Sequence, residues 1–280
     1  MDERDDRQPE LTTTLHDRSY YGEGSLIYPV LSRRVSGLSV GINTSPSKIC
    51  NFGCIYCEVD RTVEGGIMKF NADLADTQLR KVLTDIKGGS MGDQPIKAIT
   101  LSGDGEPSSL LNFEEVVKRA IAIRDEFGLS DAKFVVISNA SGLHRDTVKK
   151  GLRFMDEHNG ELWAKLDAGT EDYYKRIAQT RVPFNKVLTN ILTTAKERPI
   201  KIQSCFMNVH GEMPGEDELK AYADRVNHII ENGGQISAIQ LYTVSRPPAE
   251  SYVTALTETQ MDKVAQVLQG STFVPIEVYK

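Results

Sequence analysis

The chain reads as an α/β protein, a parallel sheet with helices on its outside. Short apolar runs recur along it, among them LSVGI at 38–42, KAITLS at 97–102 and KFVVIS at 133–138. Each is followed, after a loop, by a stretch whose apolar residues fall at helical spacing. Six such strand–helix units succeed one another through 280 residues, with no short repeat and no internal linker in view. That length suits one large α/β domain, since α/β barrels commonly run to roughly 200–250 residues as a single unit.

Composition agrees. Apolar residues make up 40% and charged residues 26%, the balance of a globular chain with a real core. A formal net charge of −6 means that the chain as a whole is not built to hold a polyanion, although a local basic patch still can. The start, MDERDDRQPE, has no apolar centre and is expected to be neither a signal nor a transit peptide. No stretch approaches the roughly 18 apolar residues of a membrane span, so a cytoplasmic protein without a membrane partner is expected. Four cysteines, three of them clustered, favour a metal over disulfides.

Residues 1–20 are polar and unpatterned and read as a tail, leaving 21–280 as one core domain that ends in a helix and a strand. A short strand and loop lie between Leu26 and Leu38, before LSVGI. Leu79, Val82, Leu83 and Ile86 mark a helix over 73–87, closed by Gly88, Gly89 and Gly92. After KAITLS, residues Phe113, Val116, Val117, Ala120 and Ile121 share one helical face. Beyond KFVVIS the pattern predicts a helix at 143–154, a strand at 162–167 and helices at 172–177 and 185–196. Strands at 201–206 and 235–242 flank a helix at 217–232, and Thr257 with Gln260 forms a capping box opening the last helix. Residues 273–278 add a final strand.

The densest chemistry lies in KICNFGCIYCEVDR, residues 48–61, which follows LSVGI. Cys50, Cys54 and Cys57 have the spacing C-x3-C-x2-C, with Asn51 and Gly53 available for tight backbone, so one loop can bring three thiols together. The second strand is followed by GDGEP, so both loops belong at the carboxyl end of the sheet, where α/β folds bind ligands. An all-cysteine 4Fe-4S cluster takes four thiolates, and three leave one iron open to paired nitrogen and oxygen donors such as an α-amino acid group. A structural zinc site would need a remote fourth ligand, because His16, His144, His158, His210 and His228 all lie away from the loop. Three unligated thiols would be an oxidation liability.

The three-cysteine loop with Tyr56 before its last cysteine, followed by GDGEP, resembles the radical S-adenosylmethionine superfamily. The runs SPSKICNFGCIYC, LSGDGEP, KLDAGTEDYYKRI and YTVSRPPAE are similar to iron–sulfur oxidoreductase-like proteins related to the wyosine-forming tRNA enzymes, over roughly Arg33 to Glu250. The resemblance implies a partial (β/α)6, TIM-like barrel. It further implies that Cys50, Cys54 and Cys57 hold a 4Fe-4S cluster whose open iron binds S-adenosylmethionine. Reductive cleavage then yields a 5'-deoxyadenosyl radical that takes a hydrogen atom from a substrate. A flavodoxin- or ferredoxin-type donor would supply the electron.

Carried over by position, Gly103, Gly105 and Glu106 fall on the methionine-binding motif, with Asp104 inserted between the glycines relative to the commonest form. Ser138 and Asn139 are candidates for the cofactor's ribose or carboxylate, or for capping the next helix. Lys165, inside a strand, needs a partner, either the cofactor carboxylate or Asp167. Cys205 is a candidate hydrogen donor or methyl acceptor, or a packed thiol. Tyr242, Arg246 and Glu250 are candidate substrate contacts, or parts of a loop stiffened by Pro247 and Pro248, while His144 and His210 read as loop histidines. Arg33, Arg34, Lys175, Arg176 and Arg181 could make a basic rim for RNA; a peptide, a small metabolite or a partner protein are the other substrate classes. A non-catalytic, metal-stabilised binding protein is the competing class. Too few cysteines remain for a second all-cysteine cluster.

Overall fold

The structure, a computed structural model, describes residues 24–59, 61 and 69–280. The expected tail at 1–20 lies outside the described residues. Strands β1 (Ile27–Ser32) and β2 (Gly37–Asn43) form an antiparallel hairpin ahead of the alternating units. They are followed by α1 (Ala72–Asp85), capped by the Asn71 side chain and running into a π-helical turn over Ile86–Ser90 in which Gly89 takes a φ of 95°. The chain continues with β3 (Ile96–Ser102), a short 3-10 turn at Pro107–Ser109, α2 (Phe113–Glu126), β4 (Lys133–Ser138), α3 (Asp146–Asp156) and β5 (Gly160–Lys165). Helices α4 (Glu171–Ala178) and α5 (Phe184–Glu197) lead to β6 (Ile200–Cys205) and the short β7 (Met207–Val209). Helix α6 (Glu216–Glu231), β8 (Ile236–Tyr242), β9 (Val253–Ala255), α7 (Glu258–Gln269) and β10 (Ile276–Tyr279) complete it. The capping box of Thr257 and Gln260 opens α7 as its sequence predicts.

The main sheet has the order β1-β2-β3-β4-β5-β6-β8-β10, parallel throughout except for β1. Its strands alternate. Leu38, Val40, Ile42, Ile99, Leu101, Phe134, Val136, Ile202 and Ile239 join the core under the helices. The opposite face carries a small apolar cluster of Ala98, Val135 and Trp163, with polar ties such as Ser39 to Thr100 at 2.8 Å and Gln203 to Gln240 at 3.2 Å. The sheet curls about this face into a half-barrel. Its curvature brings Arg34, in the β1–β2 turn, to 4.2 Å from the ring centre of Tyr242 on β8. Val35 of the same turn packs on the inner cluster, so the turn floors the half-barrel.

Several boundaries differ from the sequence pattern, among them the final strand, expected at 273–278, which runs from Ile276 to Tyr279. The strand expected at 162–167 ends at Lys165, leaving Leu166 and Asp167 in the loop beyond it. The helix expected from 143 begins at Asp146, because the chain first turns through Ala140 at φ 63°. No helix among the described residues is long and apolar enough to cross a membrane.

Candidate active site

The cysteine loop leaves β2 and is held from two sides. Gly53 N–H donates to the Ala178 carbonyl and Ile55 N–H to the Ile177 carbonyl, both at 3.0 Å, docking the loop on the end of α4. From the other side, Ala249 N–H donates to the Cys57 carbonyl at 2.9 Å. Neither Asn51 nor Gly53 takes the left-handed backbone that their residue types allow; Lys48 does, at φ 57°. Gly53 is small for a different reason, since a Cβ there would stand 3.3 Å from the Gln179 carbonyl oxygen. Asn51 ties the loop to β4's exit, accepting from Asn139 Nδ2 at 2.9 Å and donating to Ser141 Oγ at 2.8 Å.

Cys50, Cys54 and Cys57 are free thiols that line one cavity of about 160 Å³. Among the described residues, no three His, Cys, Asp or Glu side chains gather closely enough to hold a single metal ion. The thiols share a cavity rather than a point. Burial, then the charge of Asp167, pushes the Cys54 thiol well above its ordinary value, and burial also raises Cys50. Arg61 Nη2 donates to Cys57 Sγ at 3.5 Å.

The GDGEP loop forms the facing wall of that cavity, with Gly103, Asp104, Gly105 and Glu106 lining it. Gly103 sits at φ 124°, and a Cβ there would strike Asn43. The same Asn43 fixes the inserted Asp104, donating Nδ2–H to its carboxylate at 2.8 Å and accepting from its backbone N–H at 3.1 Å. A Cβ on Gly105 would lie 2.3 Å from the Ile49 carbonyl oxygen and 2.5 Å from Ser45 Oγ, so the two loops pack backbone to backbone. Gly105→Ala is therefore expected to cost about 1–3 kcal/mol through overpacking, measured by thermal unfolding. An unchanged Tm would mean that the loops do not meet this way.

Glu106 is 6% exposed and its carboxylate accepts from Ser108 N–H at 2.9 Å, Ser138 Oγ at 2.6 Å and Asn139 N–H at 2.7 Å. Burial raises its pKa against those hydrogen bonds. The structure thus joins Glu106, Ser138 and Asn139 in one network, which sequence reasoning treats as separate features. Neither Ser138 nor Asn139 caps α3, whose N-terminus is Arg145 without a side-chain cap.

Lys165 is paired inside the protein. Its Nζ lies 2.9 Å from Asp167 Oδ1 and donates to the Tyr242 hydroxyl at 2.7 Å, with the Tyr56 and Tyr242 rings on either side at 5.2 and 4.7 Å. Burial is the largest single influence and lowers the lysine's pKa, but Asp167, Tyr242 and Cys205 together outweigh it and leave the value raised. Asp167 also accepts from the Tyr56 hydroxyl at 2.5 Å and from the Cys205 backbone N–H at 2.8 Å. One carboxylate therefore links the cysteine loop, β5 and β6. Period-two alternation with Lys165 marks Asp167 only as a partner of that lysine; its ties to Tyr56 and to the Cys205 N–H join segments far apart in the chain.

A second cavity, of about 270 Å³, occupies the inner face of the sheet and shares Tyr56, Cys57, Ser102, Gly103 and Ile137 with the first. Cys205 lines it, 1% exposed, with its thiol pushed up to about 12 by burial. Tyr242 and Arg246 line it too, Arg246 paired with Glu58 at 2.7 Å. Glu250 does not line either cavity; its carbonyl accepts from Val253 N–H at 3.0 Å. His210 stacks on Tyr252 and His144 meets Asn190, both away from the two cavities. Of the five residues of the expected basic rim, Arg34 turns inward, Lys175 pairs with Glu171 at 2.8 Å, and Arg181 lines a separate surface hollow.

Residues 44–229 match the Radical SAM superfamily. A Brachyspira hyodysenteriae protein named GTPase Obg is 23% identical over 278 residues, which are 98% of this chain and 38% of that protein. The UPF0026 protein MJ1312 of Methanocaldococcus jannaschii is 25% identical over 227 residues, 80% of this chain and 65% of that protein. The chain thus spans less than two thirds of the length of these two relatives. The dual-specificity RNA methyltransferase RlmN of Nitratidesulfovibrio vulgaris is 29% identical over 157 residues, 54% of this chain and 39% of that protein. In fold, the chain resembles the structure of TYW1 with a lysine-pyruvate adduct bound, at a TM-score of 0.58 and 16% identity over 88% of this chain and 84% of that one. Members of the matched superfamily use a 4Fe-4S cluster and S-adenosylmethionine. With that match covering well over half of its length, the chain belongs to the radical SAM superfamily.

Proposed function

We propose that this chain is an iron–sulfur enzyme in which Cys50, Cys54 and Cys57 hold the 4Fe-4S cluster and the facing wall binds S-adenosylmethionine. The observation that carries the reading is the shared cavity: the three thiols, the glycines and Glu106 of the GDGEP loop, and Lys165 all line it. The donor set fits. Three free thiols spread around a cavity suit a cluster, whose irons each take one thiolate, better than a tetrahedral mononuclear ion. When bound, the cluster and cofactor supply the radical chemistry, an electron cleaving the sulfonium to methionine and a 5'-deoxyadenosyl radical that removes a hydrogen atom from the substrate.

The chain's own residues bind and orient. Backbone at Gly103 and Gly105 approaches the cavity without side chains in the way. Glu106, held by Ser138 and Asn139, fixes that wall. Lys165 presents a cation to an anionic cofactor group while Asp167 holds it in place. Cys205, protonated at neutral pH, stands on the far side of Tyr56 as the candidate hydrogen donor. A flavodoxin- or ferredoxin-type protein is the proposed source of the electron.

Anaerobic purification followed by iron and sulfide analysis tests this, together with assay of 5'-deoxyadenosine after dithionite reduction in the presence of S-adenosylmethionine. A brown protein that releases 5'-deoxyadenosine is expected. Zinc without sulfide or cleavage would instead identify a metal-stabilised binding protein. A finer reading, action on tRNA, has the likeness to RlmN in its favour and the net charge of −6 against it. Bulk tRNA added to the same assay should raise 5'-deoxyadenosine release if that reading holds; an unchanged rate removes it.

A further inference from the structure

The inner-face cavity carries a binding feature that the cofactor reading leaves unused. Arg34 lines it, with its guanidinium stacked 4.2 Å from the Tyr242 ring centre. Stacking occupies the flat face and leaves the in-plane N–H donors at the edge. The Arg34 Nε–H is buried and has no hydrogen-bond partner among the described residues. Such groups are rare in folded proteins and mark a place where a further acceptor belongs. The other charges lining this cavity among the described residues are Arg246 and Glu58, and they pair with one another at 2.7 Å. Arg34 makes no ion pair with any described residue, so among the described residues its charge has no counter-ion in the cavity.

From this we infer that the inner cavity is a substrate site, and that Arg34 recognises an oxyanion on the substrate, a carboxylate or a phosphate. A flat guanidinium edge matches both groups. The cavity's 270 Å³ equals about nine waters at ~30 Å³ each, room for a small molecule or one pendant group rather than a folded surface. It adjoins the cofactor cavity at Tyr56, Cys57 and Gly103, so a molecule anchored at Arg34 extends toward the cysteine loop. The inference rests on the radical SAM reading for calling the occupant a substrate; the anion site itself does not.

Calorimetric titration of the cluster-bearing protein, with S-adenosylmethionine present, uses malonate and inorganic phosphate as separate probes. Trp163, the chain's one tryptophan, lines this cavity, so its fluorescence reports whether the anion enters there. Saturable binding with a Trp163 response is expected for at least one probe, weakened at least about tenfold in Arg34→Gln through loss of a charged hydrogen bond. Arg34→Lys, which keeps the charge without the planar fork, should bind between the two. Malonate alone would assign a carboxylate-bearing substrate, and phosphate alone a phosphorylated one. No saturable response to either probe overturns the inference, as does wild-type affinity in a folded Arg34→Gln. If Arg34→Gln fails to fold, wild-type affinity in Arg34→Lys overturns the guanidinium's role. Cluster and 5'-deoxyadenosine without anion binding would sink this inference alone, whereas anion binding without iron or cleavage would sink the cofactor reading and the occupant's status as substrate, leaving the anion site.

Discussion

Replacing Cys54 with alanine is expected to strip the protein of iron and sulfide and to abolish 5'-deoxyadenosine release together. Cys54 is the central thiol of the three, and burial, then the charge of Asp167, raises its pKa well above the ordinary value. A bound metal displaces a thiol's proton outright, so the raised value in the metal-free protein does not bar Cys54 from ligation. Two thiolates would leave two irons without protein ligands. The contrast is Cys205→Ser, which should keep its iron, because Cys205 lines the inner cavity and not the cluster cavity. Iron retained in Cys54→Ala, or lost in Cys205→Ser, would show that the cluster is bound elsewhere.

Asp167→Ala should be the most destabilising single change near the site. It strands the Lys165 ammonium, whose side chain is 13% exposed, and also leaves the Tyr56 hydroxyl and the Cys205 N–H without their acceptor. Removing one partner of a buried pair costs about 3–5 kcal/mol. For a chain of this size that lowers Tm by roughly 5–15 °C. Adding Lys165→Met should recover part of the loss, since the two sites share one interaction and their effects are not additive. The pH dependence has a definite sign. Lys165 has a raised pKa, so the pair's stabilisation is fully present below the ordinary lysine range and is lost only as pH rises through the raised value. The gap between wild type and Asp167→Ala should therefore be constant through neutral pH and close in strong alkali. A gap that closes between pH 6 and 8 would contradict the pairing, those limits being about where histidine titrates and lysine does not.

The glycines, the thiols and the alternation of strands with helices along the chain were legible because each is local. The spacing C-x3-C-x2-C needs only a loop, and GDGEP after the second parallel strand needs only the rule that ligands gather at carboxyl ends. Lys165 was legible as a problem, a charge inside a strand whose candidate partners were the cofactor carboxylate and Asp167, and the fold pairs it with Asp167. Glu106 was less so. Its carboxylate is held by Ser138 and Asn139 from the neighbouring strand's end, a tie across two parallel strands that no single-strand pattern contains. Arg34 left the expected basic rim because charge counted along the chain does not show that the turn bearing it folds inward.

Composition, period and loop spacing are properties of neighbouring residues, and from them follow the α/β class, the succession of strands and helices along the chain and the three-cysteine loop. The partners are a different matter. Asp167 joins the cysteine loop to β5 and β6, and Arg34 reaches Tyr242 from the far edge of the sheet, only because the sheet curls. That curl is the sum of small twists between many paired strands. It belongs to the assembled sheet rather than to any segment of the chain, and it decides which side chains face the inner cavity together.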